Sequence, residues 1–466
     1  MPMNVSAALA GASTVPFWLD SDARPAALPA LSGEHSTELA IVGGGFTGLW
    51  TALLAKEADP DRRVVLLEGG RVGWAASGRN GGFCSASLTH GWDNGESHLP
   101  AENARLTELG FENLDAIEAA VARYGLDCEF ERTGEINIAT EPYQVEALRA
   151  AHDPEAGEVW LDAEELRAHI DSPQYLGGLW DQRGNALIHP AKLCWELLRV
   201  IRELGVEVHE DSIVRRMDRR SRAAGGGVDL HTDAGTLRAE RVALATNVFP
   251  SLLKRTRLHT VPVYDYAIMT EPLTAEQLAA IGWSGRQGLA DTANRFHYFR
   301  LTADNRILFG GWDAVYHYGK QVSWRYDQRA ETFETLARQL YEMFPQLEGV
   351  RFSHKWGGAI DTCSRFFPFF ATAHGGRIAY AAGFTGLGVG ASRFAGRVML
   401  NLLSGGRTEL TELEMVRKMP LPFPPEPLAW AGVKLTTAAM VKADENEGRR
   451  GPLLKALDAI GMGFDS

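Results

Sequence analysis

Three glycines, Gly43, Gly45 and Gly48, form a turn between an apolar run and a helical run, and few folds accept that arrangement. Residues 38–42 read as a short buried strand, 49–58 as a helix broken at Asp59 and Pro60, and 64–67 as a second buried strand ending at Glu68. Together they predict a βαβ unit of about 30 residues in a parallel sheet. The first glycine permits the tight turn, the second the close approach of backbone to a pyrophosphate, and the third the close packing of helix on strand. Phe46 and Thr47 complete the turn, and the helix N-terminus faces the phosphates. Glu68 lies 25 residues after Gly43, where an acidic side chain accepts hydrogen bonds from ribose hydroxyls and repels a 2′-phosphate. A glycine turn without a ligand has no need of that register, so a bound dinucleotide is expected.

Two further glycine clusters point beyond a nicotinamide enzyme. The stretch 69–82 follows the ribose-binding strand directly, and its small residues and N–H groups, at Ser77, Arg79, Asn80, Gly81 and Gly82, predict a loop around phosphates and a flavin edge. The run 383–390 joins a strand at 377–382 to a helix at 392–403, so that Gly383, Gly386, Leu387 and Gly388 present N–H groups to an acceptor at a helix N-terminus. Between the clusters, helices are expected at 101–123, 191–204 and 330–344. Strands are expected at 206–208, 211–217, 228–232, 236–244, 264–271 and within 296–312. The chain thus reads as α/β, then β-rich, then α/β.

These segments, with 185–190, 245–247 and 304–311, resemble in kind and order the glycine oxidase and D-amino acid oxidase (DAO) family of FAD-dependent oxidoreductases, most of all its gamma-glutamylputrescine oxidase-like branch. The resemblance implies an α/β fold in which 36–90, 185–260 and 350–410 build a discontinuous Rossmann-like FAD-binding domain. It places an inserted β-rich substrate domain in 91–184 and 261–349, leaves 411–466 as a C-terminal extension, and adds Thr246 to the cofactor contacts. The implied reaction is oxidation of a small primary or secondary amine, amino acid or polyamine-like, to an imine that hydrolyses to an aldehyde or oxo acid. Hydride passes to flavin N5, and oxygen reoxidises the flavin. The alternatives are a D-amino acid or opine-type dehydrogenase that passes electrons to a carrier, and a flavin-binding tRNA-modification subunit.

Hydride transfer of this kind needs orientation more than a dedicated base, and the sequence ties no Ser/His/Asp or Cys/His set together. His90, His189, His297 and His354 read as structural or polar residues. In the resembling family a basic side chain over the flavin assists oxygen, and Arg300 is the candidate; an anion-binding or surface arginine is the alternative. Arg365 is expected near an anionic group of the substrate, with Tyr264, Tyr266, Tyr298 and Trp312 as an aromatic wall. The FAD is expected to be non-covalent, with attachment through Cys363 as the alternative reading of a cysteine that otherwise serves as a small buried hydrophobe.

Composition removes other classes. Lys and Arg number 47 against 59 Asp and Glu, a net charge of −12 that disfavours nucleic acid as partner. Four cysteines without metal or disulfide spacing predict no metal and a reducing cytoplasm. The first twenty residues lack Lys and Arg, and no apolar run is long enough to span a membrane. The extension is expected to dock on the body or pair between subunits through apolar residues from Leu428 to Ile460.

Overall fold

The computed structural model of the chain describes residues 5–221, 226–459 and 461–462; Ile460, the last apolar residue expected to dock the extension, falls outside them. An eight-stranded sheet carries the glycine turns. Its main path runs Phe369–Ala373, Ile378–Ala382, Gly235–Leu244, Gly33–Val42, Val64–Leu67, Glu207–His209, with Val228–His231 and Arg216–Arg219 added to the edge of Gly235–Leu244. The five strands from Ile378–Ala382 to Glu207–His209 are mutually parallel. Both faces are covered, which is why these strands read as unbroken apolar runs: Leu39 and Ile41 pack into one core, Ala40 and Val42 into another. Helices Phe46–Ala58, Pro190–Glu203 and Gly388–Ser404 cover the first face, burying Leu49, Trp50, Leu197, Phe394 and Val398. Each such side chain contributes about 1.5–3 kcal/mol on burial.

The second sheet has nine strands and is mostly antiparallel. Its order is Val315–Tyr316, Val261–Thr270, Ile307–Gly311, His297–Leu301, Gly288–Asp291, Glu135–Ala139, Gly177–Asp181, Glu158–Asp162. The remaining strand, Phe352–Thr362, pairs with Val261–Thr270 from Phe352 opposite Thr270 to Thr362 opposite Val261. Side chains alternate. Tyr264, Tyr266 and Ile268 enter a core under helix Ala330–Met343, while Ala267, Met269 and Trp356 enter the core shared with the parallel sheet. The second sheet therefore presents one face to the dinucleotide-type sheet, and Asp265 stands on it.

Two expected boundaries move. Strand Phe352–Thr362 belongs to the nine-stranded sheet, so the third FAD-domain segment cannot begin at 350. Helix Asn103–Tyr124 sends Leu106, Leu109, Leu114 and Ile117 into the core of the parallel sheet, so 91–184 is not wholly substrate domain. The N-terminal lead is also built in: Trp18 is fully buried, donates its indole N–H to the Asn80 carbonyl at 2.8 Å, and meets His189 edge to face at 4.8 Å. The extension docks on the body. Asp444 at the end of helix Leu428–Asp444 accepts from the Asn294 and Arg295 amides, and Glu426 accepts from the Tyr316 hydroxyl.

Candidate active site

Four parallel strands end at one edge, and each delivers a chemically active turn there. Val42 leads to Gly43, Leu67 to Glu68, Leu244 to Thr246 and Asn247, and Ala382 to Gly383. Gly43 has φ +113°, and a Cβ on it would lie 2.3 Å from the Ala245 carbonyl oxygen. A Cβ on Gly48 would lie 1.9 Å from the Gly43 carbonyl oxygen, so the turn closes only with glycine at both places. Gly45 caps the helix without a side chain, and the intrahelical ladder begins with Leu49 N–H donating to Gly45. Phe46 N–H is taken by Ser77 Oγ at 3.0 Å, while the amides of Thr47 and Gly48 precede the ladder and open toward a phosphate.

The Glu68 carboxylate is buried. It accepts from Gly44 N–H at 2.6 Å, Gly70 N–H at 2.7 Å and the Trp74 indole at 2.9 Å, and burial raises its pKa against the pull of those donors. At the same edge Asn247 Oδ1 is buried without a hydrogen-bond partner, as a ligand donor would require. The backbone cradle, the uncapped helix and the buried acid fit an adenosine dinucleotide.

Strand Phe352–Thr362 binds both of the other glycine loops. Toward the first loop, Trp356 donates its indole N–H to the Arg79 carbonyl at 2.8 Å, and Arg79 donates to Gly357 O and to the Asp327 carboxylate. Asn80 folds that loop on itself, donating to the Ala76 and Ser77 carbonyls and accepting from Gly82 N–H. Toward the second loop, Asp361 accepts from Gly383 N–H at 2.6 Å and also from Phe384 N–H; burial raises its carboxyl to about 7. The Gly383 amide is thus spent on Asp361, leaving Gly386 and Gly388 nearer the start of helix Gly388–Ser404. Leu387 N–H closes the turn onto Phe384 O, and His90 bonds the Thr385 carbonyl at 3.1 Å, with burial lowering its imidazole to about 4.

Arg300 is 1% exposed and lies behind the first loop, donating to Ile188 O at 2.6 Å and Gly82 O at 3.4 Å with its cation over the Trp18 ring. Burial lowers its pKa to about 10, so the guanidinium stays charged. Arg365 departs from expectation. Its guanidinium donates to the carbonyls of Pro368, Met415 and Lys418, because the extension returns across it, and it is buried away from any substrate anion.

Cys363 is fully buried behind Gly383, donates to Phe367 O at 3.1 Å, and is held in its thiol form by burial. Acid precipitation is therefore expected to release the flavin into the supernatant. Flavin that stayed in the pellet of the parent protein and left it in Cys363→Ser would contradict this.

Of the expected aromatic wall, only Tyr298 reaches the face between the sheets. Tyr264 and Tyr266 are 1% exposed and donate to the Ser323 and Tyr326 carbonyls, and Trp312 stacks on His297 at 5.2 Å. The residue between the tyrosines, Asp265, is the one the sequence reading missed. It accepts from the Tyr298 hydroxyl at 2.6 Å, both groups are half-buried, and desolvation raises Asp265 to about 6. Tyr298 lies edge to face with Phe83 at 5.9 Å, with its ring against Gly81. Period-two alternation around Tyr264 and Tyr266 is the signal that would have found Asp265.

The comparisons agree with the fold and with FAD as the dinucleotide. Residues 38–402 match the family described as DAO, FAD dependent oxidoreductase. The chain is 31% identical over 427 residues to gamma-glutamylputrescine oxidoreductase of Escherichia coli, covering 88% of this chain and 93% of that protein. It is 28% identical over 414 residues to the probable oxidoreductase OrdL of Haemophilus influenzae, covering 85% and 90%. Among solved structures, glycine oxidase from Geobacillus kaustophilus superposes with a TM-score of 0.66 at 21% identity, covering 83% of this chain and all of that one. No helix among the described residues is long and apolar enough to cross a membrane.

Proposed function

Because the chain belongs to the DAO family of FAD-dependent oxidoreductases, we propose that it oxidises a small primary or secondary amine to an imine that water then hydrolyses to a carbonyl compound and the released amine. When bound, FAD would supply the two-electron acceptor for the hydride on the carbon alpha to nitrogen. The observation that carries the reading is the Asp265–Tyr298 pair, half-buried on the inter-sheet face beside the flavin-type loop at Gly81 and Gly82. A carboxylate there attracts a substrate ammonium, accepts its extra proton, and leaves the neutral amine that hydride transfer needs. Tyr298 orients the carboxylate and walls the space with its ring. The named substrate of the Escherichia coli relative is a putrescine derivative, which supports a polyamine-like amine. Oxygen is the proposed reoxidant, with the Arg300 cation behind the loop favouring electron transfer to it. Four free, buried cysteines support a reducing compartment such as the cytoplasm.

A panel of amines scored by anaerobic bleaching of the flavin tests the reading, since it reports substrate oxidation whatever the reoxidant. Bleaching by D-amino acids alone would move the assignment to the dehydrogenase-type alternative, and failure to consume oxygen after bleaching would remove oxygen. The pH profile tests Asp265 separately. The carboxyl is ionised above about 6 and neutral below, so reduction by amine should speed up as pH rises through that value. Asp265→Asn should lose this limb and slow reduction by about 10²-fold. An unchanged profile in the variant would exclude Asp265 as proton acceptor.

A further inference from the structure

At the far edge of the parallel sheet, away from the glycine loops' shared strand, His35, Glu207 and His209 bring one ligand atom each within 4.8 Å of one another, the grouping of this kind found among the described residues. Glu207 and His209 are two apart on one strand and so share a face; His35, at the start of strand Gly33–Val42, completes the set from far away in sequence. No spacing pattern reveals such a trio, which is why the sequence predicted no metal.

The hydrogen bonds on the outer side of both imidazoles decide its character. His209 Nδ1 lies 3.2 Å from the Pro29 carbonyl and His35 Nε2 lies 2.9 Å from the Ser32 carbonyl. A carbonyl only accepts, so each of these nitrogens carries the proton. The inward nitrogens, His209 Nε2 and His35 Nδ1, are the ones turned toward Glu207. His209 Nε2 faces Glu207 Oε1 at 2.7 Å, and His35 Nδ1 faces the same oxygen at 3.5 Å. Two ring nitrogens and a carboxylate oxygen, drawn from two separate segments of the chain, thus converge as the donor set of a metal site. Carbonyl bonds on the far nitrogens are also how metal-bound histidines are held in the correct tautomer.

We propose that His35 Nδ1, His209 Nε2 and Glu207 Oε1 bind one divalent transition-metal ion of the zinc class, with water at the open position. Two imidazoles and one carboxylate suit zinc, and two nitrogen ligands disfavour magnesium and calcium. The site also has a structural reach. The His209 carbonyl accepts the Glu68 amide at 2.8 Å, so the ion would brace the strand on which the ribose-binding acid rests and clasp the 29–35 segment to it.

Isothermal titration of the chelator-treated flavoprotein with zinc chloride tests the site directly. One saturable ion per chain is expected. His35→Asn and Glu207→Gln, whose side chains are 32% and 49% exposed and so leave the fold intact, should each weaken binding by more than about tenfold. Magnesium chloride should give no saturable heat. Absence of stoichiometric zinc binding, or parental affinity in both variants, would overturn the proposal and leave the imidazoles hydrogen-bonded to Glu207 alone.

Discussion

Gly48→Ala is expected to give a colourless protein of lowered stability. The new Cβ would sit 1.9 Å from the Gly43 carbonyl oxygen and 3.1 Å from its carbon, both backbone atoms that no rotamer change can move. Either the helix Phe46–Ala58 lifts from the strand or the turn at Gly43 opens, and each destroys the phosphate cradle. Overpacking of this kind costs about 3 kcal/mol, so the thermal transition should fall along with flavin content. Two comparisons separate cradle from fold. A side chain on Gly45 meets only the end of Ser77, 2.8 Å away, so Gly45→Val should lose flavin with a smaller loss of stability. Gly432, exposed in the helix Leu428–Asp444 with nothing within 4 Å of its missing Cβ, should accept alanine with unchanged colour and a gain of about 0.5–1 kcal/mol. A yellow, stable Gly48→Ala protein would contradict the geometry of the turn.

Arg300→Met should act twice. It strands the Ile188 carbonyl, which the buried guanidinium now satisfies, while the Gly82 carbonyl keeps the Ile188 amide, and should destabilise the protein by about 1–3 kcal/mol. It also removes a buried cation behind the loop that ends at Gly82. If that charge assists oxygen, stopped-flow measurement should find reoxidation slowed by about 10²-fold while anaerobic reduction by amine keeps its rate. Arg300→Lys, which restores charge but not the two-carbonyl clamp, should recover reoxidation more than stability. A Met variant that reoxidises normally yet unfolds early would reduce Arg300 to a clamp between Gly82 and Ile188.

The parallel sheet was readable because its strands are buried on both faces and end in glycine turns, so apolar runs and punctuation coincide at 42–43 and 382–383. The second sheet was readable only in part. Strands Glu135–Ala139, Glu158–Asp162 and Gly177–Asp181 mix charges and glycines with a few apolar residues, a weak alternation that turn residues imitate. Gly357 and Gly358 lie inside a strand, where the Tyr266 ring comes within 2.7 Å of where a side chain on Gly357 would begin. Arg365 was misread because its carbonyl partners at Met415 and Lys418 lie some fifty residues on and carry no sequence signal. Asp265 was hidden by its own neighbours, since Tyr264 and Tyr266 drew attention to the wrong face of the strand.

Trp18 imposes an order on folding. Its indole is locked beneath the Asn80 carbonyl and the Arg300 cation and against His189, partners that follow it by 62 residues and more. The lead segment leaves the ribosome before all of them, yet it can settle only after both sheets have met around it. Contacts of such separation form late and slowly. This stretch, translated before its partners, is thus a latch, and until it closes the floor of the flavin-type loop stays open to water and to proteases.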